Sequence, residues 1–190
     1  MNKTFYEDKK FRDIDYSSQG LKRAEYENCS FSNCIFSNAN LSEVSFAECS
    51  FENCNFSNVK IQNTAFKDVR FKDCKLIGLH FENCNPFLFA VHFQDCQLNL
   101  SSFYQCMLKN TLFKNCSLQE VDFVEANLNG STFDNCDLSM ASFENTNLEK
   151  VDFRTSFNYS FNPEINRIKK AKFSRIEVIG LLNKYDIIIE

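Results

Sequence analysis

Ten cysteines and two histidines are the side chains of this chain best suited to bind zinc, and the cysteines could also form disulfide bonds. A structural zinc site needs such residues in short pairs, and disulfide bonds need an oxidising compartment. The spacing is different here: all the cysteines except Cys84 stand two residues before a large apolar residue, as Cys29 stands before Phe31. Cys84 occupies the same position in the register that precedes it. We therefore predict buried, reduced thiols that act as small apolar groups, in a cytoplasmic protein without a metal.

No other set of residues is typical of an enzyme. His80 and His92 fall at positions expected to face solvent, and no serine–histidine–aspartate set accompanies them. The four glycines do not form a phosphate-binding loop, and no apolar run has the length of a membrane span. The sequence therefore predicts a non-enzymatic binding protein with no cofactor, no small-molecule substrate and no membrane contact.

The elements that position these residues follow a period of five. Large apolar residues recur every five positions from Phe11 to Phe81 and again from Leu88 to Phe153, and a smaller residue precedes most of them by two. A helix would show apolar spacings of three and four, and a strand a spacing of two. Residues two apart on an extended chain point to one side. Each unit of five thus supplies one small and one large inward residue, followed by a corner.

Four such units would close a square coil of 20 residues. Beyond Leu88, positions 20 apart carry the same large residue, in four columns. The columns are Phe93, Phe113, Phe133 and Phe153; Leu98, Leu118 and Leu138; Phe103, Phe123 and Phe143; and Leu108, Leu128 and Leu148. Opposite walls then carry the same residue type, which keeps the cross-section constant, as close packing requires.

This pattern, a small residue, a polar residue, Leu or Phe and two polar residues, is similar to that of the pentapeptide-repeat proteins over about residues 11 to 153. The resemblance implies an all-β repeat fold, a right-handed quadrilateral parallel β-helix of about seven coils. We assign residues 1–156 to this repeat domain and residues 157–190 to a C-terminal capping and dimerisation segment.

The period of five slips by two residues near positions 84–88, in the stretch NPFLFAV. Pro86 falls where a large inward residue is due, and proline cannot donate a ladder hydrogen bond. We predict a bulge in which Leu88 turns inward while Phe87 and Phe89 point outward. These two rings either shield the bulge or, with Tyr104, form an exposed aromatic contact for a partner.

The C-terminal segment begins with a return of the repeat and ends in an apolar stretch. Phe173 lies 20 residues after Phe153 and predicts a last rung. Ser174 and Glu177 fit a capping box, which predicts an α-helix over about 174–185, and the β-prone residues 186–190 predict a terminal strand.

This end of the chain carries more apolar surface than a short helix buries, and Gly180 permits close approach. Both features favour a two-fold homodimer. The predicted interface consists of Ile176, Ile179, Gly180, Leu182, Tyr185, Ile187, Ile188 and Ile189.

The net charge of −4 is unevenly distributed. Residues 120–152 contain Lys150 as their only base, against Glu120, Asp122, Glu125, Asp134, Asp137, Glu144, Glu149 and Asp152. One interpretation is a solvated surface that discourages aggregation. The other is an acidic rod that attracts a basic protein groove, with these contacts: Glu120, Glu125, Asp134, Glu144 and Glu149. A local group of bases lies earlier in the chain: Lys60, Lys67, Arg70, Lys72 and Lys75.

The repeat body, capping helix and apolar terminal segment together resemble the Qnr-type and mycobacterial-type topoisomerase-protection proteins. The resemblance implies a head-to-head dimer that imitates duplex DNA, occupies the DNA-binding saddle of DNA gyrase and protects it from quinolones. Long loops project from the best-known Qnr-type members, and this chain has only its two-residue insertion. It looks more like the loopless members, whose effect on gyrase can be inhibition.

Two other interpretations stay open. A generic repeat scaffold would bind an unidentified partner through Phe87, Phe89 and Tyr104. A nucleic-acid-binding protein would use the bases between Lys60 and Lys75, although the acidic remainder of the chain argues against direct contact with nucleic acid.

Overall fold

The structure is a computed structural model that describes residues 4–188. The chain winds as a parallel β-helix in which strands 20 or 22 residues apart lie side by side, as Phe31 lies beside Phe51 and Phe71 beside Phe93. One sheet has four strands: β1 (Phe5–Glu7), β3 (Glu25–Glu27), β5 (Ser45–Ala47) and β7 (Ala65–Lys67). The other has seven: β2 (Lys10–Arg12), β4 (Ser30–Ser32), β6 (Ser50–Glu52), β8 (Val69–Lys72), β9 (Val91–Gln94), β10 (Leu112–Lys114) and β11 (Thr132–Asp134).

Helical segments are few and short. They are α1 (Tyr16–Gln19) and the 3-10 helices Phe81–Asn83, Pro163–Ile165, Glu177–Leu181 and Asn183–Tyr185. Within residues 4–188, no helix has the length and apolar character that crossing a membrane would require.

Corners are possible every five residues because one residue in most units adopts a left-handed backbone. Asn33, Asn38, Glu43 and Glu48 have φ values of 54°, 61°, 61° and 53°. Asparagine and aspartate tolerate this region better than most residues, which explains why they so often stand two residues after an inward Phe or Leu.

The predicted inward columns are confirmed as the core. Phe113 and Phe133 are fully buried with ring centroids 4.8 Å apart, and the Phe103 and Phe123 rings stack at 5.4 Å. We number the four walls by their inward residues: Phe113 belongs to face 1, Leu118 to face 2, Phe123 to face 3 and Leu128 to face 4. Faces 1 and 3 are opposite, because two corners separate them.

All ten cysteines are buried free thiols, as predicted. The Sγ atoms of seven of them approach backbone carbonyl oxygens of the previous coil, as Cys74 Sγ lies 3.4 Å from Phe51 O. In the same position of other units, hydroxyl groups donate equivalent hydrogen bonds, as Thr64 Oγ1 does to Leu41 O at 2.8 Å. The slot therefore accepts a small side chain, and a thiol or hydroxyl group in it can also donate a hydrogen bond.

The two-residue shift forms a bulge, but the prediction for its side chains is wrong in part. Leu88 is 64 % exposed with a φ of 57° and does not turn inward. Phe89 is half-buried instead, with its ring 6.3 Å from that of Phe81, whereas Phe87 is exposed as predicted. A ring of this size can reach the core from the base of the loop, while the left-handed backbone directs Leu88 to solvent.

Backbone hydrogen bonds show where the extra residues leave the ladder. The N–H of Asn85 donates to Thr64 O at 2.9 Å, and the N–H of Ala90 donates to Phe66 O at 3.0 Å. An advance of two residues along one coil, from Thr64 to Phe66, thus lies beside an advance of five residues along the next, from Asn85 to Ala90. The four-stranded sheet ends at β7 because the bulge replaces the strand that would follow it.

The C-terminal segment adds the predicted rung and then departs from prediction. Phe173 stacks on Phe153 at 5.6 Å, and Lys172 bridges to Asp152. The α-helix predicted over 174–185 is wrong, since this stretch forms the two 3-10 helices Glu177–Leu181 and Asn183–Tyr185.

Only half of the predicted capping box forms, and this explains why the α-helix is absent from the stretch. The N–H of Glu177 donates to Ser174 Oγ at 3.0 Å, but the Glu177 carboxylate accepts from the N–H of Asn158 at 3.0 Å. The carboxylate therefore ties the segment to the last coil. The predicted terminal strand is not formed by residues 186–188, which lie beside no other strand, and residues 189–190 lie outside the described part.

Candidate partner-binding surface

Three of the five predicted acidic contacts lie together on or beside face 3. Glu144 follows the inward residue Phe143, which stacks on Phe123 at 5.1 Å. The N–H of Glu125 donates to Glu144 O at 2.8 Å, so these two residues occupy neighbouring coils. Glu120 stands at the corner that leads into face 3, in the left-handed conformation (φ 57°).

The other two predicted contacts lie elsewhere. Asp134 belongs to β11 on face 1, the opposite wall, and its carboxylate accepts from Thr155 Oγ1 at 2.9 Å. Glu149 lies on face 4 and forms an ion pair with Arg167 at 2.9 Å. The five residues therefore do not share one surface.

Asp122 completes the group and was not among the predicted contacts. It bridges between Ser102 and Ser142 along face 3, and its Oδ1 accepts from the N–H of Val124 at 2.8 Å. Counting in steps of 20 would have placed it beside Glu144. We call Glu120, Asp122, Glu125 and Glu144 the acidic face.

The four carboxylates of the acidic face lack a neutralising base within residues 4–188. None of them forms an ion pair with another residue of the described part of the chain. Face 3 carries no lysine or arginine between Ile61 and Asn145. Since neighbouring coils are about 4.8 Å apart, which is within the screening length of about 8 Å at physiological salt, their fields add.

Nearer the C-terminus, three acidic residues are paired with bases: Glu149, Asp152 and Glu164. Asp152 contacts Arg154 Nη2 at 2.8 Å and Lys172 Nζ at 3.6 Å. Because the last coil is basic, it separates the acidic face from the C-terminal end of the rod.

Asp137, on face 2, accepts hydrogen bonds from neutral donors. Burial alone would raise its pKa, but bonds from Ser139 Oγ (2.6 Å), Gln119 Nε2 (2.7 Å) and Asn158 Nδ2 (2.9 Å) together lower the pKa to about 2. The ionised carboxylate thus connects the body of the rod to the C-terminal segment.

The lowered pKa of Asp137 predicts a loss of stability in acid. An ordinary aspartate has a pKa of about 3.9 when unfolded, so its contribution is present above that pH and is lost as the pH falls towards 2. We expect Asp137→Asn to remove about 1 kcal/mol of the wild-type loss between pH 4 and pH 2, after solvent screening. Urea unfolding of both proteins at the two pH values measures this. An identical loss in the variant would contradict the assignment.

The aromatic contacts proposed from sequence differ in accessibility. Phe87 is 66 % exposed and lies 5.8 Å from Lys67 Nζ, and Tyr104 is 36 % exposed on face 3. Phe89 is half-buried against the core and is less available to a partner. The exposed apolar part of the bulge is therefore Phe87 with Leu88.

The predicted dimer interface is largely exposed in the single chain. Its isoleucines include Ile176 at 76 % and Ile188 at 89 % exposure, whereas Leu181 between them is buried. Ile179, Leu182, Tyr185 and Ile187 are also exposed, and Ile189 lies outside the described residues. Gly180 makes a close approach within the single chain, since a Cβ atom there would lie 1.9 Å from Tyr159 O. Its close approach is to the rod.

The group of bases predicted from sequence is dispersed around the rod. Counting coils places Lys60 on face 3, Lys67 on face 4, Arg70 and Lys72 on face 1, and Lys75 on face 2. Lys72 is also paired with Glu52 at 2.7 Å. These residues form no continuous basic surface of the kind that a nucleic-acid backbone needs.

Comparison with known proteins agrees with this architecture. The family model for the pentapeptide repeat region matches residues 24–86 and 87–160. A trypsin-treated variant of QnrB1, a plasmid-mediated fluoroquinolone resistance protein, superposes with a TM-score of 0.64 at 16 % identity over 100 % of both chains. HetL, a pentapeptide repeat protein involved in heterocyst differentiation regulation from the cyanobacterium Nostoc sp. strain PCC 7120, superposes with a TM-score of 0.64 at 13 % identity, covering 90 % of this chain and 86 % of its own. At these identities the likeness concerns the fold. A search of curated proteins finds no match in sequence.

Proposed function

This chain belongs to the pentapeptide-repeat family, and we propose that it is a non-enzymatic binding protein whose acidic face enters the basic DNA-binding groove of a type II topoisomerase, DNA gyrase. The main support for this proposal is the acidic face, where four carboxylates without an ion pair among the described residues lie on one side of the repeat rod. The fold likeness to QnrB1 supports it, because that protein confers fluoroquinolone resistance.

The physical basis is electrostatic complementarity between the acidic face and a groove lined with bases. Such complementarity raises the rate of association and fixes the orientation of the partners. Duplex DNA carries a charge about every 1.7 Å of its axis, so the acidic face imitates part of its charge. Gyrase occupied by the rod would bind less DNA and would form fewer quinolone-stabilised cleavage complexes.

A supercoiling assay with purified gyrase, with and without a quinolone, tests the proposal. We expect the protein to reduce supercoiling or to relieve quinolone inhibition at micromolar concentration. An unchanged reaction up to tens of micromolar would reject the topoisomerase function and leave a scaffold that uses Phe87 and Leu88 for another partner.

The role proposed for the acidic face leads to a more specific prediction about gyrase binding. Substituting Asp122→Asn, Glu125→Gln and Glu144→Gln together should weaken gyrase binding about tenfold or more, because each interfacial charge contributes roughly 0.5–1 kcal/mol. Titration by surface plasmon resonance at two salt concentrations measures the affinity and its salt dependence.

A matched control removes the same charge from other walls. Glu27→Gln, Glu48→Gln and Asp73→Asn are substitutions of exposed residues away from face 3. Equal weakening by both triple variants would show that net charge, rather than the acidic face, governs binding.

We also propose that two copies associate through the C-terminal end and so double the length of the rod. The exposed isoleucines of this end provide the apolar area. Light scattering at micromolar concentration should give the mass of a dimer, and a monomer mass would reject this part of the proposal.

A further inference from the structure

The bulge leaves a cavity of about 200 Å³ beside face 3, next to the coil that contains Phe103. Its apolar lining includes Phe81, Phe89, Tyr104 and Met107, and its polar lining includes Glu82. With about 30 Å³ for each water molecule, the space corresponds to roughly six waters. It can therefore hold a side-chain head group and the carbon chain behind it.

One carboxylate oxygen of Glu82 accepts no hydrogen bond from the described residues. Its Oε1 contacts His80 Nδ1 at 2.8 Å, but its Oε2 is buried with no hydrogen-bond partner among residues 4–188. Leaving a buried charged acceptor without a partner costs more than about 1–3 kcal/mol. Glu82 also lines the cavity, so a donor that enters the cavity and slightly displaces this side chain can meet that requirement.

The rings around this carboxylate favour a positively charged donor. Cations are attracted to the faces of aromatic rings, and Phe89 and Tyr104 line the cavity, while the Phe81 ring there is stacked on Phe103. The two thiols in the lining do not make it a metal site. Burial, and secondarily Glu82, raise the pKa of Cys106 to about 12, and no three-ligand cluster occurs in the described residues. A metal would require thiolates.

We propose that this cavity receives the alkylammonium or alkylguanidinium group of a lysine or arginine side chain from a protein partner. Glu82 Oε2 accepts its hydrogen bond, and the aromatic rings enclose its carbon chain. The Phe81 ring stacks on Phe103 at 4.5 Å, which places Glu82 on the same wall as the acidic face. A basic segment drawn to Asp122 and Glu144 would pass the mouth of the cavity. The identity of this partner as gyrase rests on the proposed function.

Direct binding of a small cation tests the cavity without any partner. Butylguanidinium chloride is titrated into the isotope-labelled protein, and amide shifts are followed by NMR. We expect saturable shifts at Cys84, Tyr104 and Met107, and no saturable shift with butanol as the neutral control. Shifts that never saturate, or that spread evenly over the surface, would overturn the proposal.

Variants connect the binding to Glu82. Glu82→Gln preserves the size of the side chain and should weaken butylguanidinium binding about tenfold or more, since a charge-assisted hydrogen bond contributes roughly 1.5–3 kcal/mol. Glu48→Gln, at an exposed position on another wall, should leave it unchanged. Tyr104→Ala, at an exposed position, should weaken it severalfold and serves as the second variant. Equal binding by Glu82→Gln and wild type would overturn the proposal.

Measuring gyrase binding distinguishes the cavity proposal from the proposed topoisomerase function. If Glu82→Gln weakens both butylguanidinium and gyrase binding, the cavity receives a gyrase side chain. If the cation binds at Glu82 but gyrase does not bind the wild-type protein, the function is rejected while the cavity stands. If spermidine binds as the cation does while gyrase affinity is the same for wild type and Glu82→Gln, the site belongs to free polyamines and the partner assignment is wrong.

Discussion

Phe113→Ala is expected to lower the free energy of unfolding by about 3–5 kcal/mol, as large-to-small changes in a packed core do. Phe113 is fully buried, and its ring stacks between Phe93 at 5.3 Å and Phe133 at 4.8 Å. Its edges contact Phe103 and Phe123 at 6.0 and 5.9 Å. The coils above and below it are fixed by backbone hydrogen bonds, so the cavity cannot collapse.

Chemical denaturation followed by circular dichroism measures this loss. Leu112→Ala is the matched control, because Leu112 precedes Phe113 in β10 and is 38 % exposed. It should change stability by less than about 1 kcal/mol. Similar losses for both variants would contradict an interior filled by stacked rings.

Gly180→Ala is expected to destabilise the C-terminal cap by about 1–3 kcal/mol, the usual cost of overpacking. The new Cβ would lie 1.9 Å from Tyr159 O and 3.1 Å from Tyr159 C. That carbonyl cannot retreat, since Tyr159 is buried with its ring 5.4 Å from Phe153. The 3-10 helix Glu177–Leu181 would have to lift and withdraw Leu181 from the core.

Hydrogen exchange across residues 174–188 detects the lifted cap directly. In Gly180→Ala, the amide hydrogens of residues 174–188 should exchange faster than in the wild type, and those around Phe113 should exchange at the wild-type rate. Val178→Ala, at a 38 % exposed position in the same helix and outside the proposed dimer interface, is the control and should leave exchange at wild-type rates. An unaffected Gly180→Ala would show that the cap does not rest against Tyr159.

Sequence periodicity was sufficient to predict the inward columns, because a residue such as Phe113 has the same environment in every coil. It could not predict which side chain fills the bulge. The count of residues favoured Leu88, but backbone hydrogen bonds from Asn85 and Ala90 determine the loop and place Phe89 against the core.

The C-terminal helix was mispredicted for a related reason. The local signal from Ser174 and Glu177 is real, yet Glu177 bonds to Asn158, a contact that no local pattern contains. On the partner-binding surface, the sequence was sufficient to predict Glu120, Glu125 and Glu144, because they lie in an acidic stretch. Asp134 and Glu149 were included for the same reason, although the coil places them on other walls, and Glu82 escaped notice because it lies far from that stretch.

Hydroxyl-radical footprinting of the protein with and without gyrase is the most direct test of face 3 as the partner-binding surface. The exposed side chains of Tyr104 and Met140 lie on and beside this face, while Leu112 on face 1 and Ile35 on face 2 are exposed to similar or lesser extents. The account predicts that gyrase protects Tyr104 and Met140 from oxidation and leaves Leu112 and Ile35 reactive. Protection of Leu112 with Tyr104 still reactive, or no protection at saturating gyrase, would contradict it.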